Sequence, residues 1–547
     1  MGNKVFVIGL DGATLEIIRP LAEKGRLPNF SRLMKEGSFG ILKSTIPPIT
    51  PCAWTSFATG KDPSKHGLYD FNLHEGDPEN TKSANRTFVK AKSLWRILSE
   101  AGKRSIVIDV PLTYPPEEIN GYMISRVMAP QKKNCAYPKS LYRRLSEDGF
   151  IEKKEDHILE KHGIRKAGVK ASAKKSPRRL NGKMLRRLRT ERIRQNFKEI
   201  IRAIDKNMAL CEAFMKREQW DFFMIVFMSA DHAGHSFWHD KVKMRKIYQK
   251  LDEAIGEIFR LAGPETIKFI MSDHGFTSIG DSFNINEWLY DRGLLSKKIG
   301  IPYKDSMKEL KKFLRQKNNV AGRRRCRKLK KFRYMLQTDY SKSKAYLQSG
   351  TSYGIRINLK GRDKAGIVEK GDYESFRNYL IKELKTVEHH MTGKKIFHKI
   401  LKKEDVYSTS PAGTDPAPDI FLLSRDMKVM LEGQFGGKFK IFRKAPRGYG
   451  FHHTEGIFFA EGQKINRMHL DSAKITDLAP TILHILNVPI PEDMDGRVLN
   501  EIFTPNSDIW QRELSYQAGS AIDGSADEYS KKDESVIREK LAALGYV

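Results

Sequence analysis

The chain has 547 residues, 39% apolar and 30% charged, with 98 Lys and Arg against 66 Asp and Glu and a formal net charge of +32. That composition excludes a collagen-like, wholly disordered or multi-span membrane chain, and the length provides for more than one core-forming unit. A surface this basic favours anionic company such as nucleic acid, acidic lipid or phosphorylated substrates.

From the N-terminus, residues 5–8 read as a buried strand that runs into Gly9-Leu10-Asp11. This apolar run is too short for the core of a signal peptide. No stretch of ~20 apolar residues predicts a membrane span. Further buried strands are predicted at 105–110, 222–227 and 267–271, with 421–423 and 457–460 as additional candidates. Amphipathic helices are predicted over 15–35, 93–101 and 245–262, and helical spacing continues from 185 to 204. Strands alternating with helices argue for an α/β fold, a mostly parallel sheet between helices. The cysteines at 52, 135, 211 and 326 form no CxxC pair. That pattern excludes a disulfide framework and a cysteine zinc site, and predicts reduced thiols in the cytoplasm.

Two runs hold most of the charge. Residues 161–190 carry twelve Lys/Arg and no acid, and 301–335 carry fourteen against two acids, together +24 of the +32. Each run is read either as a solvated face or as a contact with an anionic membrane surface or nucleic acid. No aromatic interleaving, zinc-finger or basic-zipper pattern accompanies them, which argues against sequence-specific reading of nucleic acid. The predicted organisation is a core from 1–285 and 446–505, with a basic helical insertion at about 150–200. Residues 286–445 form an inserted cap, and a tail at 506–547 ends in a short helix over 535–544.

Acids and histidines collect where the predicted strands end. Asp11 follows the first strand, Asp231 and His235 follow 222–227, and Asp273 and His274 follow 267–271. In open α/β sheets, sites form beyond the carboxyl ends of the strands. Carboxylate and imidazole ligands suit zinc, manganese or iron. His452 in Gly450-Phe-His-His-Thr-Glu-Gly456 makes six such residues, enough for two metals a few Å apart. Such a pair clamps the attacking and leaving oxygens of an in-line displacement at phosphorus. The segment 45–60 is rich in hydroxyls and stiffened by three prolines, and its Thr45, Thr50, Thr55 and Ser56 are candidate nucleophiles. A hydroxyl beside a bound cation gives up its proton more easily than a free one.

These blocks carry a resemblance. Val-Ile-Gly-Leu-Asp11-Gly12, with Pro28-Asn29-Phe and Leu33 to Gly37 behind it, resembles the type I phosphodiesterase/nucleotide pyrophosphatase branch of the alkaline phosphatase superfamily. So do Thr-Pro-x-x-Trp-Thr-Ser-Phe-x-Thr-Gly-x-x-Pro-x-x-His-Gly from Thr50 to Gly67, Asp231-x-x-Gly-His235, Ser-Asp273-His274-Gly and Gly-Phe-His452, in that order. Asp477-Leu-Ala-Pro-Thr-Ile-Leu and the block from Pro491 to Arg497 resemble the branch's closing helix and loop. The resemblance covers about 1–300 and 345–547.

The resemblance implies an alkaline phosphatase-like core and Thr50 as nucleophile. It implies one metal on Asp11, Thr50, Asp273 and His274, and a second on Asp231, His235 and His452, with His453 as the rival to His452. The ions are expected to be zinc, with manganese as the alternative. His66 is expected to position the loop.

There is one departure from the family. The Asn that helps hold a phosphate oxygen falls by spacing on Phe71, with Asn72 one place later, so Asn72, Lys360 and Arg362 are candidate substrate-binding residues. A sulfatase would need a Cys-x-Pro-Ser-Arg setting, which Cys52-Ala-Trp-Thr-Ser is not. The expected protein is a two-metal phosphohydrolase, with diesters ahead of monoesters, cytoplasmic, with a peripheral membrane location as the alternative. Its substrate would be a phosphorylated small molecule of lipid or nucleotide type. The alternatives are a cofactor-independent phosphomutase on the same core, or a binding protein docked to anionic membrane or nucleic acid.

Overall fold

The run at 5–8 becomes β1 (Lys4–Leu10), buried on both faces from Val5 onward, as a central strand covered by helices on both sides must be. The computed structural model describes residues 2–74, 76–130, 134–151, 182–299, 336–389, 391–407, 416–435, 441–445, 450–519, 522 and 529–544. Two compact units emerge, one of Met1–Lys61, Asn85–Phe276 and Gly448–Val547, the other of Asp62–Ala84 and Thr277–Arg447.

The first unit is built on nine strands. In chain order they are β1, β2 (Ser38–Lys43), β3 (Ser105–Ile108), β4 (Gly121–Ile124), β5 (Ala136–Tyr137), β6 (Phe222–Phe227), β7 (Thr266–Met271), β8 (Glu455–Glu461) and β9 (Met468–His469). Their spatial order is β9-β2-β8-β7-β1-β6-β3-β4-β5. The run β7-β1-β6-β3-β4 is parallel throughout. The strand expected at 457–460 is β8, but it lies antiparallel between β2 and β7.

Helices cover both faces. Among them are α1 (Leu15–Glu23), α2 (Pro28–Glu36), α3 (Thr50–Thr59), α4 (Leu94–Glu100), α5 (Gly182–Arg217), α6 (Ser229–Phe237), α7 (Lys241–Ala262) and α8 (Leu478–Ile485). Phe6, Ile8 and Leu10 pack with α1, α2, α5, α6 and α7. Val5 and Val7 pack with α3, α4 and α8. The two-residue period of the strand thus assigns alternate β1 side chains to opposite layers.

The single segment expected over 15–35 is two helices. Gly25 turns the chain at φ +67, and Pro28 opens α2, where its missing N–H is no loss. The start of α2 is closed from a distance: Asp252 of α7 accepts from the Phe30 N–H at 2.9 Å and the Asn29 N–H at 3.2 Å. The tail belongs to this unit too. Ile509, Ile537 and Leu541 are buried, and Tyr516–Gln517 pairs in parallel with Ile490–Pro491.

In the second unit the strands Ala345–Leu347, Gly354–Ile357, Ile420–Ser424 and Phe397–Lys402 form an antiparallel sheet in that order. The apolar run at 421–423 is therefore an antiparallel strand here, buried on both faces like a parallel one, so its composition could not tell the two apart. Residues 62–84, expected in the core, group with this unit. Asp70 accepts from Ser349 Oγ and from Thr351 Oγ1, the latter at 2.8 Å.

Residues 161–181 and 301–335 lie outside the described residues, as do the side chains of 182–190, so the expectations for both basic runs fall there. Among the described residues no helix is long and apolar enough to cross a membrane.

Candidate active site

The carboxyl ends of three neighbouring strands, β7, β1 and β6, point into one place. β1 delivers Asp11, the turn after β7 delivers Asp273 and His274, and α6 after β6 carries Asp231 and His235 one turn apart. Thr50 is the first residue of α3, and His452 stands on the short strand Gly450–His453. Asp11, Asp231, Asp273, His274 and His452 are fully buried, and Thr50 is 2% exposed.

The side chains form two overlapping groups. Asp11, Asp273 and His274 make one: His274 Nε2 lies 3.3 Å from Asp273 Oδ2 and 3.8 Å from Asp11 Oδ1. Thr50 Oγ1 reaches the same nitrogen at 3.5 Å. Asp231, His274 and His452 make the other. Here His235 Nε2 and His452 Nε2 stand 3.2 Å apart, and Asp231 Oδ1 lies 3.3 and 3.4 Å from them. His274 joins the two groups, its ring stacked on His452 at 3.7 Å.

The atoms around this cluster set its polarity. Gly12 adopts φ +68, and its N–H then reaches Asp273 Oδ1 at 3.1 Å. His452 donates Nδ1–H to the Pro48 carbonyl at 3.1 Å, and His274 donates Nδ1–H to the Gly275 carbonyl at 3.1 Å. Each ring therefore turns an Nε2 lone pair inward, the tautomer a metal ligand needs. Asp11 Oδ1 and Asp273 Oδ2 are buried with no hydrogen-bond partner. Burial and the neighbouring carboxylates hold Asp11 well above the usual carboxylate range, and burial together with Asp231 does the same to Asp273. Burial opposes ionisation of Asp231 as well, but His235 and His452 outweigh it and hold that group well below. Burial and His452 push His274 well below an ordinary imidazole. Inward lone pairs and two orphaned carboxylate oxygens are the donor set that divalent cations fit.

Thr50, Asp11, Asp231, His235, Asp273, His274 and His452 are thus brought together. His453 is not among them: it follows His452 on a strand, so it faces the other way, and its Nδ1 accepts the Glu455 N–H at 3.2 Å. Thr45 Oγ1 donates to the Pro47 carbonyl at 2.7 Å. His66 is buried and accepts the Leu68 N–H through Nδ1 at 3.2 Å, a loop-shaping contact.

The remaining candidates lie in the second unit. Asn72 pairs with Ser83 in a two-residue ladder. Lys360 is exposed and bonded to Glu369 at 2.6 Å. Arg362 is 8% exposed and is bonded to Asp419 and Asp363 at 2.7 and 3.0 Å.

Sequence reasoning missed Trp54, which donates its indole N–H to Asp11 Oδ2 at 2.8 Å. The available signal was its place one helical turn after Thr50.

Fold and site together define a metal-dependent hydrolase of phosphate esters on an alkaline phosphatase-like α/β core. The chain belongs to the type I phosphodiesterase/nucleotide pyrophosphatase family, whose model matches residues 5–453. Among solved structures it is similar to wild-type alkaline phosphatase PafA, with 14% identity, 92% of this chain and 100% of that one covered, and a TM-score of 0.51. Phosphonoacetate hydrolase from Sinorhizobium meliloti 1021 is similar at 12% identity, covering 89% and 95%, with a TM-score of 0.50. A comparison with curated proteins finds no significant match.

Proposed function

We propose that the protein hydrolyses phosphoesters with two divalent cations, zinc ahead of manganese, through a covalent phospho-threonine at Thr50, and prefers diesters to monoesters. The observation that carries this reading is the placement of a buried hydroxyl, Thr50 Oγ1, 3.5 Å from His274 Nε2 beside two unpartnered carboxylate oxygens.

Asp11, Asp273 and His274 would hold one cation with Thr50, and Asp231, His235 and His452 the other. Cations bound there supply positive charge that neutralises the phosphate and eases loss of the threonine proton. Thr50 Oγ1 attacks phosphorus in line. The new O–P bond forms as the bond to the leaving alcohol breaks, and that alcohol departs on the opposite side with a proton. Water then cleaves the phospho-threonine and restores the hydroxyl. The position of Thr50 as the first residue of α3 holds its buried hydroxyl beside His274 and spares reorganisation.

The substrate class is a phosphorylated small molecule of nucleotide or lipid type. Cys52, Cys135 and Cys211 are buried and in no disulfide among the described residues, which fits a reducing cytoplasmic setting.

The test is hydrolysis of bis-(p-nitrophenyl) phosphate and p-nitrophenyl phosphate with zinc or manganese. A chelator should abolish turnover, and Thr50→Ala should lower it at least about a thousandfold. The diester should be the better substrate. Metal uptake with no phosphate or alcohol released would instead favour a phosphomutase.

A further inference from the structure

Gly9 lies on β1, and Asp11 directly follows the strand's last residue, Leu10. One indole covers both. A Cβ on Gly9 would stand 2.5 Å from Trp54 Cη2 and 2.8 Å from Val226 Cγ2, so the glycine makes the room in which the ring lies against the strand. From there Trp54 Nε1 reaches Asp11 Oδ2 at 2.8 Å. Trp54 is itself fully buried on α3, and Phe57 meets it edge-on at 6.0 Å.

The chemistry of this contact is one-sided. An indole N–H only donates, so Asp11 Oδ2 must accept. The other oxygen, Oδ1, is buried without a partner and faces His274 Nε2 at 3.8 Å. Trp54 also follows Thr50 by four residues, which puts both on the same side of the helix. One side chain thus fixes which carboxylate oxygen is presented to the cluster and ties that carboxylate to the helix bearing the hydroxyl.

We propose that Trp54 is a positioning residue for Asp11, setting the affinity of the Asp11–Asp273–His274 cation site and its registry with Thr50. The proposal rests on the two-metal reading above. Packing alone would not produce it: a phenylalanine could fill much of the same space but could not donate.

The test is stepwise zinc titration of metal-stripped, full-length protein against a chromophoric chelator, beside a thermal melt of the same samples. Wild type should take up two equivalents. Trp54→Phe should keep one at wild-type affinity and bind the other about 10- to 100-fold more weakly, the usual cost of losing a partner of a metal ligand. If Trp54→Phe shows no cooperative melt, Gly9→Ala carries the same test, because its methyl would meet the indole at 2.5 Å and shift Nε1 away from Asp11 while the tryptophan itself is kept. A folded variant whose two affinities are unchanged, or fall equally, overturns the proposal. A wild type that takes up no divalent cation overturns the two-metal reading instead.

Discussion

Both units bury carboxylates, and they treat them in opposite ways. In the second unit Asp363 and Asp419 are closed by guanidinium groups. Arg356 Nε bonds Asp363 Oδ1 at 2.7 Å, Arg362 Nη1 bonds Asp419 Oδ1 at 2.7 Å, and Tyr373 Oη adds a further bond to Asp419 at 2.6 Å. Burial opposes ionisation of Asp419, yet Arg362 and Arg356 hold it below the usual carboxylate range. In the first unit Asp11 and Asp273 keep one oxygen each without a partner and are pushed up. A buried acid that the chain pairs with a guanidinium stays ionised; one left short of a donor holds its proton or offers its oxygen to a cation.

Substitutions should separate the two clusters. Arg362→Met leaves Asp419 and Asp363 short of a buried partner and should cost about 3–5 kcal/mol in denaturant unfolding, with zinc uptake unchanged. A tolerated change would mean that this cluster does not hold the second unit together.

The second unit also carries a pH signature. His74 is buried, and burial with Arg356 nearby pushes its pKa down to about 4, against a small opposing pull from Asp363. The folded state therefore keeps it neutral while the unfolded chain takes up a proton near pH 6.5. Stability should be full above that pH and decline as the pH falls towards 4, by up to about 3 kcal/mol. Urea melts of His74→Leu should lack that share of the decline.

The smallest effect has the opposite sign. Asp273→Asn removes a buried charge that nothing in the chain neutralises, so the metal-stripped variant should be more stable than stripped wild type by on the order of 1–2 kcal/mol. The same variant should bind zinc more weakly. Asp419→Asn should lose stability, since the buried Arg362 would then keep Asp363 as its one charged partner. Like signs for the two Asn variants would collapse the distinction between the clusters.

Much of the site was legible because its residues sit at strand ends. Asp11, Asp231 with His235, and Asp273 with His274 each follow an apolar run, and a strand's end is a local signal. The overlap was not legible. His274 lies in both cation groups because β7 and Gly450–His453 bring it against His452, 178 positions along the chain. Nor was the Asp252 cap on α2, or the hydrogen bond from His452 to Pro48, which joins positions separated by 404 in sequence. The break at Gly25 between α1 and α2 was written in the sequence as Gly and Pro, yet the amphipathic period ran across it.

The sequence by itself determined the alternation of strands and helices, the order of the motif blocks and the residue types available for metals and for attack on phosphorus. Those follow from local period and spacing. Only the tertiary structure decided which carboxylates find a guanidinium and which stay open, which imidazole nitrogens face inward, and that an indole N–H occupies one oxygen of Asp11. Each is a distance between groups far apart in the chain, set when β1 is laid between β6 and β7 and α3 is packed across it.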